Sequence, residues 1–483
     1  MRSVAEQLLT GLGWLTLTYF TVLNVIYVAF LAIAGRSLVQ HQRSRSYAAT
    51  DEMLASPLIP PVSVLLPAHD EQEGIVPAVR SLLALRYPTF EVVVVSDGST
   101  DATFARLTEA FDLVPVRKAM RGALPCAAVR GTYVSRRHPD LWVVDKDNGG
   151  KADALNCGLN AARHPYVCAV DADTILEEDA LLRVAKPVVD DPGLVVATGG
   201  IVRIANGCTI DHGRVVDVRL PRNPLAALQV VEYFRAFLVG RVGWSRLGSL
   251  LIISGAFGLF RRDLVEAVGG YAVDTVGEDV ELVVRLHRYL RERGEDYRIE
   301  FVPDPVCWTE APETLRVLSR QRRRWQRGLI ETLWRHRDVS GRPRYGVLGL
   351  LACPYFLLFE LLGPVIEVLG YFAVPLGWSL GTLSGSFLVA FLTMAVVLGV
   401  FLSISALALE ELSFRRHPRG TDVLRLFVLA VLENVGYRQL ISLMRVMAFV
   451  DVARRRSDWG VMHRRGLGDL AARPLPDAPA SHP

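Results

Sequence analysis

The sequence is poor in cysteine and nearly free of net charge. Its six cysteines, among 483 residues, form no CxxC pair and no metal-ligand spacing, which excludes a disulfide framework and indicates reduced, mostly buried thiols. The 54 basic and 50 acidic residues leave a charge of +4, too little to indicate a nucleic-acid partner. With 51% hydrophobic and 22% charged residues, the composition also excludes a disordered or collagen-like chain. A chain of this length is expected to form two or three units.

Charge is also missing from a long stretch near the amino terminus. Residues 9–34 include no charged side chain and exceed the roughly 20 apolar residues that cross a bilayer. Arginines follow this run where a signal peptide would have a small-residue cleavage site, so an uncleaved transmembrane anchor is favoured over a signal peptide. Residues 347–378 and 387–409 are predicted to cross as well. Glu360 and Glu367, inside the second block, are expected to face a protein interior or a wet cavity.

Basic residues beside these blocks predict their orientation, because such residues prefer the cytoplasmic side. The flanking groups are Arg36, Arg43 and Arg45, then Arg335, Arg337, Arg342 and Arg344, and finally Arg415, Arg416 and Arg419. They predict three crossings with the amino terminus outside and residues 36–344 in the cytoplasm. Residues 423–450 are ambiguous, since a fourth crossing would place Arg454, Arg455 and Arg456 outside. Two short helices that dip into the cytoplasmic interface, or lie along it, are favoured there.

Between the first and second blocks, short apolar runs alternate with helical stretches. The runs at 62–66, 91–95 and 166–170 predict strands of βαβ units in a mostly parallel sheet. Each run is followed by acidic residues: Glu71 after the first, Asp97 after the second, and Asp171 and Asp173 after the third. Ligands bind beyond the carboxyl ends of such strands, so these acids are expected to converge on one crevice. Taken singly, each motif could equally be a turn or a helix cap.

Taken together, the motifs carry a family resemblance over roughly residues 61–333. In chain order they are Ser96-Asp97-Gly98-Ser99, Asn148-Gly149-Gly150-Lys151 with Ala152-Asp153-Ala154-Leu155-Asn156, Asp171-Ala172-Asp173, Gly277-Glu278-Asp279, and Gln321-Arg322-Arg323-Arg324-Trp325, which is QxxRW. The set resembles the family 2 glycosyltransferases of GT-A fold, in particular the membrane-embedded branch that makes cellulose, chitin, hyaluronan and poly-N-acetylglucosamine. The resemblance implies an α/β GT-A domain embedded between transmembrane and interfacial helices.

The resemblance also implies a role for individual residues around a UDP-sugar. The residues implied to bind the nucleotide sugar are Ala68, His69, Glu71, Asp97, Lys151, Asp171, Gln321 and Arg324. Asp173, with Asp171, is implied to hold Mg²⁺ or Mn²⁺, which prefer hard oxygen ligands. The family more often has Asn where Asp70 stands, so Asp70 is given no role.

The remaining assignments concern the acceptor and the reaction. Asp279, beside Glu278, is implied to be the general base that deprotonates the acceptor hydroxyl. The alternative is that both acids only cap the following helix, where negative charge is favourable. Ser254, Gly255 and Trp325 are implied to contact the acceptor. Residues 308–312 resemble the loop that gates the family's site.

These implications give a domain plan and a function. The plan is a transmembrane helix and linker (1–45), a cytoplasmic GT-A domain (46–315), an interfacial QxxRW helix (316–345), two transmembrane helices (346–410), interfacial or re-entrant helices (411–460) and a disordered tail (461–483). The implied function is a processive inverting enzyme of the plasma (inner) membrane. It would polymerise a β-linked polysaccharide from UDP-N-acetylglucosamine first, or UDP-glucose second, and translocate it.

Three alternatives remain open at this stage. A non-processive enzyme adding one sugar to a lipid would use the same nucleotide site, although QxxRW argues against it. A non-enzymatic transporter or scaffold would require every acidic motif to be incidental. Because few spans are present, a second copy of the chain or an accessory export partner could complete the channel.

Overall fold

The computed structural model describes residues 2–44, 53–211, 214–414 and 419–454. In this part of the chain, the strands form a ten-stranded sheet of order β3-β4-β5-β2-β1-β6-β11-β8-β12-β7 and a β9-β10 hairpin. The strands are β1 Val62–Ala68, β2 Phe90–Asp97, β3 Leu113–Val116, β4 Val129–Ser135, β5 Leu141–Lys146, β6 Tyr166–Val170, β7 Thr174–Leu176, β8 Val195–Ile204, β9 Thr209–Asp211, β10 Arg214–Asp217, β11 Phe257–Arg261 and β12 Arg298–Thr309.

Helices cover the sheet and form a second, apolar layer. They are α1 Arg2–Ser44, α2 Ile75–Leu83, α3 Thr103–Phe111, α4 Lys151–Ala161, α5 Ala180–Asp190, α6 Pro224–Tyr233, α7 Val242–Arg246, α8 Arg262–Ala267, α9 Glu278–Arg293, α10 Leu315–Arg335, α11 Leu348–Leu361, α12 Gly363–Ser379, α13 Gly385–Phe414 and α14 Gly420–Ala453. A π-helical stretch, Phe234–Arg241, joins α6 to α7. Further π-helical turns occur within α11, α13 and α14.

The predicted fold class is confirmed, but the sheet is mixed rather than mostly parallel. Only β5-β2-β1-β6 and β8-β12 run parallel to their neighbours. β11 lies antiparallel between β6 and β8, and β3, β4 and β7 pair antiparallel at the edges. The local apolar pattern predicted three of the parallel strands, β1, β2 and β6, whereas the partner of β11 is set by packing between distant segments.

The strand register explains why functional motifs meet at one edge. β1, β2 and β6 are parallel, so the residues that follow Ala68, Ser96 and Val170 emerge on the same side. Phe257, the first residue of antiparallel β11, pairs with Val170. The segment just before β11 is therefore adjacent to the segment just after β6. This edge is the crevice predicted for ligand binding in such sheets.

Within the described residues, three helices are long and apolar enough to cross a membrane: Val4–Arg43, Gly385–Phe414 and Gly420–Ala453. A fourth candidate is the pair α11 and α12, which is bent by 42° at a short break. The break precedes Pro364, which lies in the first turn of α12, where proline is tolerated. The helix Gly420–Ala453 contains the segment for which interfacial helices were favoured. Arg45, Arg415, Arg416, Arg455, Arg456 and the tail 461–483, all used in the sequence predictions, lie outside the described residues.

The two predicted intramembrane carboxylates have partners, as burial requires. Glu367 is buried and accepts hydrogen bonds from the Tyr19 hydroxyl, at 3.0 Å, and from Ser442. Glu360 lines a cavity and pairs with Arg445 at 3.1 Å. These contacts join α1, α11, α12 and α14 into one packed unit.

Candidate active site

A cavity of about 530 Å³ opens where the sheet edge, α9, α10 and the α6–α7 segment meet. It brings together ten of the predicted site residues: Lys151, Asp171, Asp173, Ser254, Gly255, Glu278, Asp279, Gln321, Arg324 and Trp325. Four others, Ala68, His69, Glu71 and Asp97, lie at the ends of β1 and β2 and do not line it. The cavity also reaches side chains of the apolar helices, including Tyr27, Tyr355 and Glu360.

Lys151 is the central charge of this cavity. It begins α4 directly after the Gly149-Gly150 turn, and its ammonium lies 2.6 Å from Asp171 Oδ1 and 3.2 Å from Glu278 Oε1. Burial alone would lower the pKa of Lys151, but the charges of Asp171 and Glu278 outweigh it and raise that pKa. Lys151 therefore stays protonated, and its positive charge offsets the negative charge of Asp171 and Glu278 on the cavity wall.

Glu278 and Asp279 form the first turn of α9, where backbone N–H groups favour negative charge. Burial raises the pKa of the Glu278 carboxyl, and the neighbouring Asp279 adds to the shift, although Lys151 opposes it. Asp279 Oδ1 accepts a hydrogen bond from the Val280 N–H at 2.8 Å, and its Oδ2 accepts one from the Gly255 N–H at 3.1 Å. The N-cap of α9 is Gly277 and has no side-chain cap bond, so Asp279 bonds one N–H of the first turn while it also lines the cavity.

Gly255 is needed for a close approach. A Cβ atom there would lie 2.9 Å from Lys151 Nζ and 3.4 Å from Asp279 Oδ2. The residue therefore permits the lysine and the aspartate to meet beside its backbone. Contact of Gly255 and Ser254 with an acceptor sugar stays a prediction.

Asp97 has a structural surrounding that the sequence did not reveal. It is only 3% exposed, and its carboxylate accepts hydrogen bonds from the N–H groups of Gly149, at 3.0 Å, and Gly150, at 2.8 Å. The buried Lys146 ammonium also bonds it and pairs with Asp153 at 2.7 Å. Asp97 thereby holds the turn that presents Lys151, while its predicted contact with uracil stays untested.

Polar groups cluster around Asp97 at the open end of β1. His69 Nδ1 lies 2.8 Å from the Asp97 carbonyl oxygen, which also accepts a hydrogen bond from Asn148 Nδ2 at 3.0 Å. The Glu71 N–H donates to Thr103 Oγ1 at 2.8 Å, and Ala68 is buried at the end of β1. This cluster does not line the main cavity, and its contact with a nucleotide stays a prediction.

The QxxRW segment lies within α10, which begins at an N-cap formed by the Thr314 hydroxyl. Gln321, Arg324 and Trp325 share the cavity-facing side, as their spacing predicts, and the Trp325 side chain is 44% exposed. Arg322 is buried, also lines the cavity and donates to Glu232 Oε2 at 2.8 Å. Arg323 is bonded to Asp451, so it joins α10 to α14.

The loop before α10 is fixed by carboxamide side chains. Asn206 accepts a hydrogen bond from the Ala311 N–H at 2.7 Å, and Gln229 donates to the Pro312 carbonyl at 2.8 Å. Asn223 donates to the Glu313 carbonyl at 3.0 Å. The loop forms part of the cavity wall in this arrangement.

Asp171 and Asp173 form the carboxylate pair for the implied cation. Both line the cavity, and no group of three or more His, Cys, Asp or Glu side chains in the described residues could hold a metal by itself. Mg²⁺ is usually held by one or two carboxylates together with substrate phosphates. Two carboxylates beside a cavity therefore fit a cation that arrives with a diphosphate.

Sequence reasoning missed the cavity wall made by the α6–α7 segment. Its cavity-lining residues are Tyr233, Ala236, Phe237, Gly240, Arg241 and Trp244. These residues recur every three or four positions, which predicts one face of a helix. The sequence does not show which part of the protein that face packs against. Arg445, from α14, also lines the cavity and was not predicted.

Comparison with protein families agrees with this geometry. A model described as glycosyltransferase-like family 2 matches residues 127–328, and one described as glycosyl transferase family 2 matches residues 63–122. Together they cover more than half of the chain. The chain belongs to the family 2 glycosyltransferases.

Curated relatives of this glycosyltransferase are synthases. It is 30% identical over 310 residues to a poly-beta-1,6-N-acetyl-D-glucosamine synthase of Staphylococcus epidermidis, covering 64% of this chain and 62% of the relative. A synthase of the same name from Staphylococcus aureus is 31% identical over 318 residues, covering 65% and 63%. The chain thus spans less than two thirds of the length of these relatives.

Two solved structures are also similar to this family member. One is a mannosyltransferase from Pyrobaculum calidifontis in complex with GDP-Man and Mn²⁺, with a TM-score of 0.48, 20% identity, and 86% and 99% coverage of the two chains. The other is Staphylococcus aureus TarS 1–349, with a TM-score of 0.36, 14% identity, and 78% and 91% coverage.

Proposed function

We propose that this chain is a processive inverting glycosyltransferase that polymerises a β-linked polysaccharide from a UDP-sugar. The observation that carries the proposal is one continuous cavity. Its walls include Asp279, Lys151, Arg324 and Trp325 at the sheet edge, and Tyr355 among the apolar helices. The relatives named poly-beta-1,6-N-acetyl-D-glucosamine synthase make UDP-N-acetylglucosamine the first donor to test, followed by UDP-glucose.

The proposed reaction is a single displacement. The Asp279 carboxylate takes the proton of an acceptor hydroxyl, and that oxygen forms a bond to the anomeric carbon of the donor. The bond from this carbon to the diphosphate oxygen breaks, and UDP leaves with its electron pair. An α-linked donor therefore gives a β-linked product without a covalent enzyme intermediate.

Positive charge near the leaving group would assist this step. Lys151 and Arg324 both line the cavity, and a guanidinium can bond two diphosphate oxygens at once. Asp171 and Asp173 are the residues that would hold Mg²⁺ or Mn²⁺. When bound with the donor, such a cation neutralises charge that develops on the diphosphate.

Continuity with the apolar helices supports processive synthesis. A polymer that stays bound needs room beyond the acceptor position, and the cavity extends between α1, α11 and α14. We propose that the chain is an integral protein of the plasma (inner) membrane, with its catalytic domain in the cytoplasm, and that the product leaves through these helices. A second copy or an export partner would complete the path if these helices are too few.

The test uses the purified chain in detergent with a panel of UDP-sugars and either Mg²⁺ or Mn²⁺. UDP release and product length are measured together. A ladder of chain lengths supports the proposal, whereas a single added sugar on a lipid supports the non-processive alternative. Absence of UDP release with every donor contradicts both.

A substitution at Asp279 tests its assignment as the general base. Asp279→Asn should abolish polymer but leave UDP binding nearly intact, because the amide cannot accept the proton. Asp263→Asn is the matched control, since Asp263 is exposed and its ion pair in the described part of the chain is with nearby Arg261. Polymer formation by Asp279→Asn at close to the wild-type rate would remove the base assignment.

A further inference from the structure

The π-helical stretch carries a cation into the cavity. Arg241 ends this stretch, and the face that it shares with Tyr233, Phe237 and Trp244 lines the cavity wall. π-Helical turns are rare and occur often at functional sites. No motif of the family resemblance includes this face, so its contribution has to be read from its surroundings.

The Arg241 guanidinium has few polar partners within the protein. Its buried Nη1 atom has no hydrogen-bond partner in the described part of the chain, and none of the ion pairs found there includes this residue. Its guanidinium instead lies 3.8 Å from the centre of the Phe237 ring. Burial lowers the pKa of Arg241 to about 10, although the charge of Asp279 opposes the shift.

Such an arrangement is unfavourable for the folded protein alone. Arg241 is half-buried, and an N–H group that is buried without an acceptor destabilises a folded protein, so an apolar side chain of similar size is usually better there. A guanidinium facing a cavity is most easily accounted for when a bound molecule supplies the missing acceptors. Stability therefore does not account for Arg241, and ligand binding does.

We propose that Arg241 binds the acceptor sugar and donates hydrogen bonds to its hydroxyl or amide-carbonyl oxygens. This assignment rests on the proposed function. It makes the α6–α7 segment an acceptor-binding wall opposite the QxxRW helix.

The surroundings of Arg241 favour the acceptor over the donor diphosphate. Asp279, the proposed base, is the carboxylate whose charge acts most strongly on Arg241. The acceptor hydroxyl must lie beside that base. Phe237 and Trp244 also line this wall and make it apolar, which suits a sugar better than a hydrated diphosphate.

The experiment compares Arg241→Met and Arg241→Lys with the wild-type chain in detergent. Four quantities are measured: the melting temperature, UDP affinity, UDP-sugar hydrolysis without acceptor, and transfer from UDP-N-acetylglucosamine to short β-linked N-acetylglucosamine oligomers. Arg246→Met is the matched control, because Arg246 is exposed on the same segment and bonds Ser37 outside the cavity.

Arg241→Met should raise the acceptor KM at least tenfold, the effect of losing hydrogen bonds from a charged group. Its melting temperature should stay equal or rise, and its UDP affinity and hydrolysis should be unchanged. Arg241→Lys should give an intermediate KM, because one donor group remains. The control should match the wild type in all four measurements.

Other outcomes overturn the assignment. Weaker UDP binding by Arg241→Met would place the residue on the diphosphate, and a lower melting temperature with proportional loss of activity would make it structural. Normal acceptor KM in an active enzyme would also end this assignment while leaving the proposed function intact. If the wild-type chain itself uses no UDP-sugar, the proposed function fails, and this inference with it.

Discussion

At the scale of single residues, the centre of the site has more negatively than positively charged side chains. Lys151 is one cation among the carboxylates of Asp171, Glu278 and Asp279. Burial raises the pKa of Glu278 even though Lys151 is 3.2 Å away. The ionised form of Glu278 is therefore unfavourable in the folded protein relative to the unfolded chain.

This imbalance predicts a pH-dependent gain in stability for Glu278→Gln. A raised folded-state pKa means that the native protein binds more protons than the unfolded chain, so wild-type stability falls as pH rises through that range. The glutamine of the Glu278→Gln variant does not ionise, so the variant does not lose stability in this way. We expect a higher melting temperature than wild type at pH 8, and a difference that shrinks as pH falls below about 4.3, the ordinary glutamate value.

Thermal unfolding in detergent across this pH range checks the prediction. Glu292→Gln serves as the control, because hydrogen bonds and neighbouring arginines lower the pKa of that carboxyl despite a burial effect of opposite sign. The control should lose stability at neutral pH. A Glu278→Gln variant that is less stable than wild type at pH 8 would show that the ion pair with Lys151 outweighs burial.

At the scale of elements, the position of α10 depends on two glycines. A Cβ atom on Gly328 would lie 2.8 Å from the Gly277 Cα, and one on Gly277 would lie 2.9 Å from the Gly328 Cα. Gly277 directly precedes Glu278 and Asp279. The QxxRW helix is therefore pressed, backbone against backbone, onto the start of α9.

Gly328→Ala should consequently lower activity. Alanine gains about 0.5–1 kcal/mol of helix stability, but the clash involves backbone atoms that cannot rotate away, so we expect the helices to separate. A shift of about 1 Å at a catalytic site can cost on the order of 100-fold in rate. Gly420→Ala is the control, since no atom lies within 4 Å of its added Cβ.

Initial rates of UDP release from the preferred donor measure this effect, with UDP affinity recorded alongside. Full activity of Gly328→Ala combined with a higher melting temperature would mean that the helix contact is not needed for catalysis.

Elements differ in how far the sequence predicts them. The runs ending at Ala68, Asp97 and Val170 are short, apolar and followed by acids, so both the strands and their shared edge follow from local pattern. The position of β11 does not, because Phe257 pairs with Val170, which lies 87 positions earlier in the sequence. Arg241 was missed for a similar reason: its helical face is visible, but the cavity opposite it is built by distant segments.

At the scale of the whole molecule, a buried ion pair joins the catalytic sheet to an apolar helix. Arg203 of β8 bonds Glu410 of α13, and both side chains are at most 3% exposed. Glu410→Leu would remove this carboxylate from a buried guanidinium, at a general cost of about 3–5 kcal/mol. We expect a clear fall in melting temperature.

The double variant Arg203→Met with Glu410→Leu should recover most of this stability, since no buried charge then remains at the pair. Asp190→Asn is the control for an exposed pair, Lys186 with Asp190, which should contribute no more than about 1 kcal/mol. An additive loss in the double variant would show that the two charges do not depend on each other.

The path of α14 decides the topology of the carboxy-terminal part. The helix is long enough to span a bilayer, yet its backbone angles are not helical at Val435 and at Gly436, whose φ of +93° favours glycine. At its start, Arg419 lies 3.6 Å from Asp217 of the β9-β10 hairpin. At its end, Asp451 bonds Arg323 of the QxxRW helix at 2.6 Å.

Both ends of α14 therefore touch the catalytic part, and we expect the helix to enter the membrane interface and return rather than cross. Single cysteines at Thr421, Ala453 and Ser386, in a Cys126→Ser background, test this with a membrane-impermeant maleimide. Cys126 is the one native thiol that is not buried. Thr421→Cys and Ala453→Cys should react only after the cells are lysed, whereas Ser386→Cys, between α12 and α13, should react in intact cells. Labelling of position 453 but not position 421 in intact cells would make α14 a full crossing.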